Sequence, residues 1–115
     1  MTGRTSFTRG RAVEYLARDL LKSKGFQVIH SAGSTSPVDL IAWRAGETPV
    51  LIQVKRTRSR IDSVVGIAEK YRDDIEALRA IDLPRDGAAH LWVWTDMQSW
   101  RFYEVLHGGI LEVEA

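Results

Sequence analysis

Two short apolar stretches of this chain carry side chains that a plain β-sheet does not need: Asp39 in one, Gln53 and Lys55 in the other. Successive side chains of a strand point to opposite faces, so Asp39, Ile41 and Trp43 share one side, and Leu51, Gln53 and Lys55 share a side of the next strand. If Arg44 and Val50 close the intervening turn, Asp39 comes opposite Lys55 and Ile41 opposite Gln53. Three polar groups then gather on one face. Burying such groups unpaired costs roughly 1–3 kcal/mol each, and Val or Ile would be the usual choice at 53 and 55. Oxygen donors beside an ammonium group suit a hard divalent cation next to an oxyanion. Asp39 and the Gln53 carbonyl oxygen are candidate ligands for Mg²⁺, and Lys55 is the candidate partner of a phosphate or of an attacking water. A structural Asp39–Lys55 ion pair at a strand end is the competing reading.

A helix must supply the remaining acid. Val13, Leu16, Ala17, Leu20 and Leu21 recur at helical spacing over residues 10–24, Lys22 and Lys24 fall in the last turn, and Gly25 is a natural stop. Glu14 lies at the edge of that stripe, where it either reaches the rim of the sheet or pairs with Arg18 one turn on. Residues 1–9 are polar and are expected to form a loose basic arm. Strands are expected at 26–30, 38–44, 50–55, 89–95 and 100–106, with a short last one at 110–113. A Ser/Gly/Thr-rich loop at 31–37 precedes the second strand. One amphipathic helix is expected over 61–81, with Ile61, Val64, Val65, Ala68, Tyr71, Ile75 and Leu78 on its buried side. Hairpins joined by a helical crossover make an α/β sandwich around a central mixed β-sheet flanked by helices, in a single domain spanning 1–115.

The 115 residues, 44% hydrophobic and 27% charged, describe an ordinary globular chain. There is no cysteine, which excludes disulfides, thiolate metal sites and cysteine nucleophiles, and makes a reducing cytoplasm the expected compartment. No stretch is apolar enough for a bilayer, so no membrane partner is expected. The net charge of +1 hides an asymmetry: residues 1–60 hold 11 Lys+Arg against 4 Asp+Glu, and residues 61–115 hold 5 against 11. Such a distribution is consistent with a polyanion-binding surface built from the first half, or with a solvated basic end.

Taken in order, Gly10-Arg-Ala-Val-Glu14, Gly25-Phe26 through Ser34, Ser36-Pro37-Val-Asp39 and Ile52-Gln53-Val-Lys55 resemble the archaeal-type Holliday-junction resolvases of the PD-(D/E)xK nuclease superfamily. The resemblance implies a restriction-endonuclease-like fold and an Mg²⁺-dependent endonuclease (Mn²⁺ substituting) that cleaves four-way DNA junctions in recombination and repair. By position it makes Glu14, Asp39, Gln53 and Lys55 catalytic, with Glu14, Asp39 and Gln53 on the metal. It places Ser34 in a mobile loop that approaches the cleavage site. Three positions depart from the family pattern: Gln53 replaces a Glu, Val38 separates Pro37 from Asp39, and His30 stands where an Arg is usual. Gln53 is similar instead to the Gln-x-Lys form of Mrr-like restriction nucleases. An amide oxygen still ligates Mg²⁺ without adding charge, so activity is expected. His30 is either a phosphate or metal contact or a structural residue.

Given those expectations, Arg4, Arg9 and Arg11 before Glu14, and Arg56, Arg58 and Arg60 after Lys55, flank the site as contacts to the DNA backbone, which position without reading sequence. Both faces of the 89–95 strand are apolar, Trp92 and Trp94 opposing Leu91 and Val93. Helices on one side of the sheet and a twin subunit on the other would account for this, and the resemblance implies a two-fold homodimer able to make two symmetric nicks. The alternatives are an Mrr-like or restriction-type enzyme acting on duplex DNA, and a decayed module that holds branched DNA without cutting it.

Overall fold

The chain begins with helix α1 (Thr2–Ser23), followed by strands β1 (Gln27–His30), β2 (Leu40–Trp43) and β3 (Val50–Thr57). Helices α2 (Val64–Lys70) and α3 (Arg72–Arg79) then lead to β4 (Ala88–Thr95), β5 (Ser99–Leu106) and β6 (Gly109–Val113). The structure is a computed structural model and describes residues 2–31 and 36–114, with side chains from Arg11 onward.

α1 ends where the sequence says it should. The N–H of Gly25 donates to the carbonyl of Lys22 at 3.0 Å, and that of Phe26 to the carbonyl of Leu21 at 3.1 Å. This paired closure needs a left-handed residue, and Gly25 provides it at φ +88°. Phe26 thereby folds back against the same apolar cluster as Leu21. The helix start differs from expectation: α1 runs back to Thr2, so residues 2–9 continue the helix instead of forming a loose arm. No proline interrupts them, and extending an existing helix needs no new nucleus.

The six strands lie in sequence order, β1-β2-β3-β4-β5-β6. All neighbours are antiparallel except β3 and β4, which run parallel because α2 and α3 carry the chain across between them. This is the expected mixed sheet. Helices flank it, also as expected. α1 lies over β1–β3 on one face, and α2 and α3 lie on the other against β4–β6. Helices thus lie on both faces and not on one alone, leaving Trp94, Trp100 and Phe102 beyond α1 only partly buried. Val13, Ala17, Leu21, Leu40, Ala42, Ile52, Val54 and Trp92 form the core under α1. Ile67, Tyr71, Ile75, Leu78, Leu91, Val93 and Tyr103 belong to the core under α2 and α3. Each fully buried aliphatic side chain contributes about 1.5–3 kcal/mol.

The crossover is two helices, not one over 61–81. Ser63 caps α2, its hydroxyl accepting the Gly66 N–H at 3.0 Å. Tyr71 then leaves helical geometry at φ −111°, ψ 31° and separates α2 from α3. With the phase set by that cap, Ile67 is the buried residue of α2, while Val64 and Val65 are exposed. Gln98 buttresses the approach to the cap: its side chain accepts the Ile61 N–H at 2.7 Å and donates to the Ile61 carbonyl at 3.0 Å.

Candidate active site

The register of β2 on β3 determines which polar residues meet. Ile41 pairs with Leu51 and Leu40 with Ile52, so the pairing is displaced by two residues from the expected match of Ile41 with Gln53. A shift of two preserves parity, and the odd-numbered side chains of both strands stay on a common face. The displacement arises because the connection between the strands is longer than assumed: the pairing ends at Ala42 with Val50, not at Arg44. Arg44 is instead engaged with Glu47 at 2.6 Å, with the Lys24 carbonyl at 3.1 Å and with the Phe26 ring at 4.2 Å.

Asp39 sits just ahead of β2, with its backbone N–H bonded to the Ile52 carbonyl at 2.8 Å. Its side-chain Oδ2 accepts the Val54 N–H at 2.8 Å, which joins the acid to the strand bearing Gln53 and Lys55. Burial pushes the Asp39 carboxyl above its ordinary value. The Val54 bond and the Lys55 charge pull it back in part, and the Asp74 charge pushes it up again. Glu14, on α1, is also raised, by burial first and by the Asp39 charge second, against the opposing Arg11. The Asp39 charge thus acts on Glu14 across two different elements. Arg18 does not take Glu14 as partner; it bonds Asp19 at 2.9 Å and lies over the Tyr15 ring at 4.7 Å.

Gln53 and Lys55 project toward α3 and share one oxygen. Asp74 Oδ1 accepts from Gln53 Nε2 at 3.2 Å and lies 3.2 Å from Lys55 Nζ. The competing Asp39–Lys55 pair is therefore not the contact made; Asp74 is the ion-pair partner. The other end of the Gln53 amide, Oε1, is buried and has no hydrogen-bond partner among the described residues. Native folds rarely leave a buried carbonyl unpaired, which makes this oxygen a candidate ligand atom. Asp74 escaped the sequence reading, although it had a signal. With Tyr71, Ile75 and Leu78 it completes an i, i+3, i+4, i+7 stripe, so a carboxylate occupies a core-facing position of α3.

His30 Nδ1 lies 3.9 Å from Glu14 Oε1, and its ring meets Tyr15 edge-on at 5.5 Å. Burial lowers its pKa, and Arg18, Arg11 and Lys22 lower it further against the opposing Asp39 charge, which favours the neutral imidazole. A neutral ring at that distance from Glu14 is a polar neighbour and not an ion-pair partner. Its buried Nε2 has no partner among the described residues.

The basic residues divide by what they already touch. Arg56 pairs with Asp96 at 2.7 Å, and Arg60 with Asp62 at 3.3 Å. Arg58 is exposed and makes no ion pair among the described residues. Arg11 is exposed on α1. Arg4 and Arg9 lie on the first turns of α1, their side chains outside the described set, and Ser34 lies outside the described residues altogether. Among the described residues, no three His, Cys, Asp or Glu side chains form a group able to hold a metal ion. Beside the Asp39 and Glu14 carboxylates, the unpaired Gln53 amide oxygen is the further candidate donor. Among the described residues, no helix is long and apolar enough to cross a membrane.

The family described as restriction endonuclease (Mrr_cat) matches residues 7–81, the stretch holding Glu14, Asp39, Gln53, Lys55 and Asp74. No curated protein matches. Among solved structures, the fold is similar to that of Hjc, a Holliday junction resolvase from the archaeal hyperthermophile Archaeoglobus fulgidus. The identity is 19% and the TM-score 0.55, over 92% of this chain and 84% of that one.

Proposed function

From the premise that this chain belongs to the restriction endonuclease family, we propose that it is a metal-dependent, structure-selective endonuclease cutting phosphodiester bonds in four-way DNA junctions. The observation that carries this reading is the buried, unpaired Gln53 Oε1, in a group that includes Asp39 and Lys55. Glu14, Asp39 and Gln53 would hold Mg²⁺, or Mn²⁺ in its place, through hard oxygen donors. Bound there, the ion would stabilise charge on the phosphoryl oxygens and acidify the attacking water. Lys55, kept in place by Asp74, directs an ammonium hydrogen toward the scissile phosphate. Ser34, outside the described residues, is proposed to act near the scissile phosphate as well. Arg4, Arg9, Arg11, Arg56, Arg58 and Arg60, with His30 at the rim, meet backbone phosphates on either side.

The fold shared with a Holliday junction resolvase supports branched DNA as the substrate. A dimer would deliver the two symmetric cuts that a four-way junction requires. The second reading, a restriction-type enzyme acting on linear duplex, is favoured by the family match and by Gln53 in place of an acid. Incubating the protein with a synthetic four-way junction and with a linear duplex of the same sequence, in Mg²⁺ or in EDTA, tests the proposal. Nicking of the junction in Mg²⁺ alone is expected. Preferential cutting of the duplex selects the second reading, and binding to the junction without cutting in either condition would identify a decayed site.

A further inference from the structure

A glutamine side chain has two unlike ends, a donor NH₂ and an acceptor oxygen, and its neighbours decide which end faces where. Asp74, when ionised, only accepts. By taking Gln53 Nε2 on Oδ1 it turns the carbonyl oxygen of Gln53 away from α3, and that is the atom left buried and unpaired. The same Oδ1 lies 3.2 Å from Lys55 Nζ, so one carboxylate oxygen sets the direction of both β3 side chains. A carboxylate at position 53 would meet that oxygen at hydrogen-bond distance with no hydrogen between them. Like charges at such separation resist joint ionisation.

We propose that Asp74 is a positioning residue of this site and carries the negative charge that a Glu-x-Lys strand would carry at position 53. In this chain that charge stands on α3, and Gln53 is the neutral relay that fits against it. The inference rests on the nuclease reading of Asp39, Gln53 and Lys55 and adds a member that acts through the other two. It explains the Gln at 53 as half of an exchange, with Asp74 as the other half, and not as a weakened acid.

Moving the charge back tests the exchange. In the double variant Gln53→Glu with Asp74→Asn, the amide at 74 donates to the carboxylate at 53, and donor and acceptor have traded elements. Wild type, both single variants and the double variant are compared at pH 8. The readouts are melting temperature in EDTA, half-saturation by Mn²⁺ in calorimetry, and DNA cleavage. Gln53→Glu alone should lower the metal-free melting temperature by about 5 °C. Asp74→Asn alone should weaken Mn²⁺ binding or cleavage by about 10–100-fold, the usual effect of losing a residue that orients a ligand. The double variant should return melting temperature and Mn²⁺ half-saturation to near the wild-type values. If Gln53→Glu alone fails to fold, recovery of folding in the double variant supports the exchange equally, and failure of the double variant to fold overturns it. Simple addition of the two single effects in the double variant also overturns the proposal. Melting and Mn²⁺ binding need no DNA, so a chain that cuts none of the DNAs offered would refute the nuclease reading, while the exchange stands or falls on those two measurements.

Discussion

The backbone N–H of Val54 donates to Oδ2 of Asp39 at 2.8 Å, a side-chain bond that crosses between strands where the β2–β3 ladder has ended. It holds one carboxylate oxygen in place and leaves Oδ1 for other work. Asp39→Asn and Asp39→Ala therefore separate structure from chemistry. Both variants should lose cleavage, because neither has a carboxylate for the ion. Asn keeps an acceptor for Val54, whereas Ala leaves that N–H unpaired. In urea titrations Asp39→Ala should be less stable than Asp39→Asn by about 1–3 kcal/mol. Equal stability of the two variants would mean that the Val54 bond contributes nothing.

The same acid makes a prediction about pH. Asp39 and Glu14 both have folded-state pKa values raised above the ordinary ones, chiefly by burial. The folded protein therefore binds these protons more tightly than the unfolded chain. Their stabilising contribution is full below the unfolded values and is lost as pH rises through the folded ones. In EDTA, the melting temperature of wild type relative to Asp39→Asn should fall as pH is raised through that window. Saturating Mg²⁺ should reverse the trend, since the ion competes with the protons for the same oxygens. An identical pH dependence of the two proteins in EDTA would show that Asp39 ionises freely.

Alternation was the most legible feature, because a period of two survives an error of two. The β2–β3 register differs by that much from the expected one, and the odd-numbered faces of both strands still coincide. Gly25 was legible as a stop because its position demands positive φ. The break at Tyr71 was not, since Tyr71, Ile75 and Leu78 keep a helical spacing straight through it. Val64 and Val65, apolar but exposed, drew the buried face away from Ile67. Asp74 was hidden for another reason. Beside Asp73, in the middle of the single helix expected over 61–81, it reads as one more solvated charge, and only the crossover shows that α3 sets it against Gln53 and Lys55.

Arg56 and Arg58 are two residues apart and should behave differently. Arg56 already pairs with Asp96, so phosphate has to compete with a carboxylate for it. Arg58 has no such competitor among the described residues. Arg58→Ala should weaken junction binding and reduce the slope of log K against log salt by about 0.9, the share of one phosphate contact. Arg56→Ala should change the slope less. Salt titrations of binding in Ca²⁺ check this, and a larger change for Arg56→Ala would show that the Asp96 pair opens on DNA.

Trp94, Trp100 and Phe102 form an aromatic ledge on the α1 face of β4 and β5, with Trp94 and Trp100 edge-to-face at 5.4 Å and Trp100 stacked on Phe102 at 5.9 Å. They are only partly buried, beyond the strands that α1 covers. A homodimer seated there would bury them. Trp100→Glu should then convert dimer to monomer in sedimentation experiments and reduce paired nicking of the junction while single nicks persist. A variant that sediments as wild type would move the proposed interface elsewhere.

Gln53 offers the last test, because its two ends do different things. Gln53→Ala removes the unpaired carbonyl oxygen and the donor to Asp74 together. If the oxygen is a ligand, the Mg²⁺ concentration for half-maximal cutting should rise about 10-fold or more. Gln53→Leu should be worse, since it fills the same space with methyl groups that face the ion. If Gln53 serves only to hold Asp74, and through it Lys55, the outcome is different. The maximal rate then falls while the metal midpoint of Gln53→Ala matches wild type, because every metal donor is still in place. Lys55→Ala supplies the control: it should abolish cutting, leave the affinity for junction DNA largely intact, and leave the Mn²⁺ half-saturation within about 3-fold of wild type, since an ammonium is not a ligand. A Gln53→Ala variant that tracks Lys55→Ala in its unchanged metal binding would remove the amide from the metal shell and leave Asp39 and Glu14 to hold the ion.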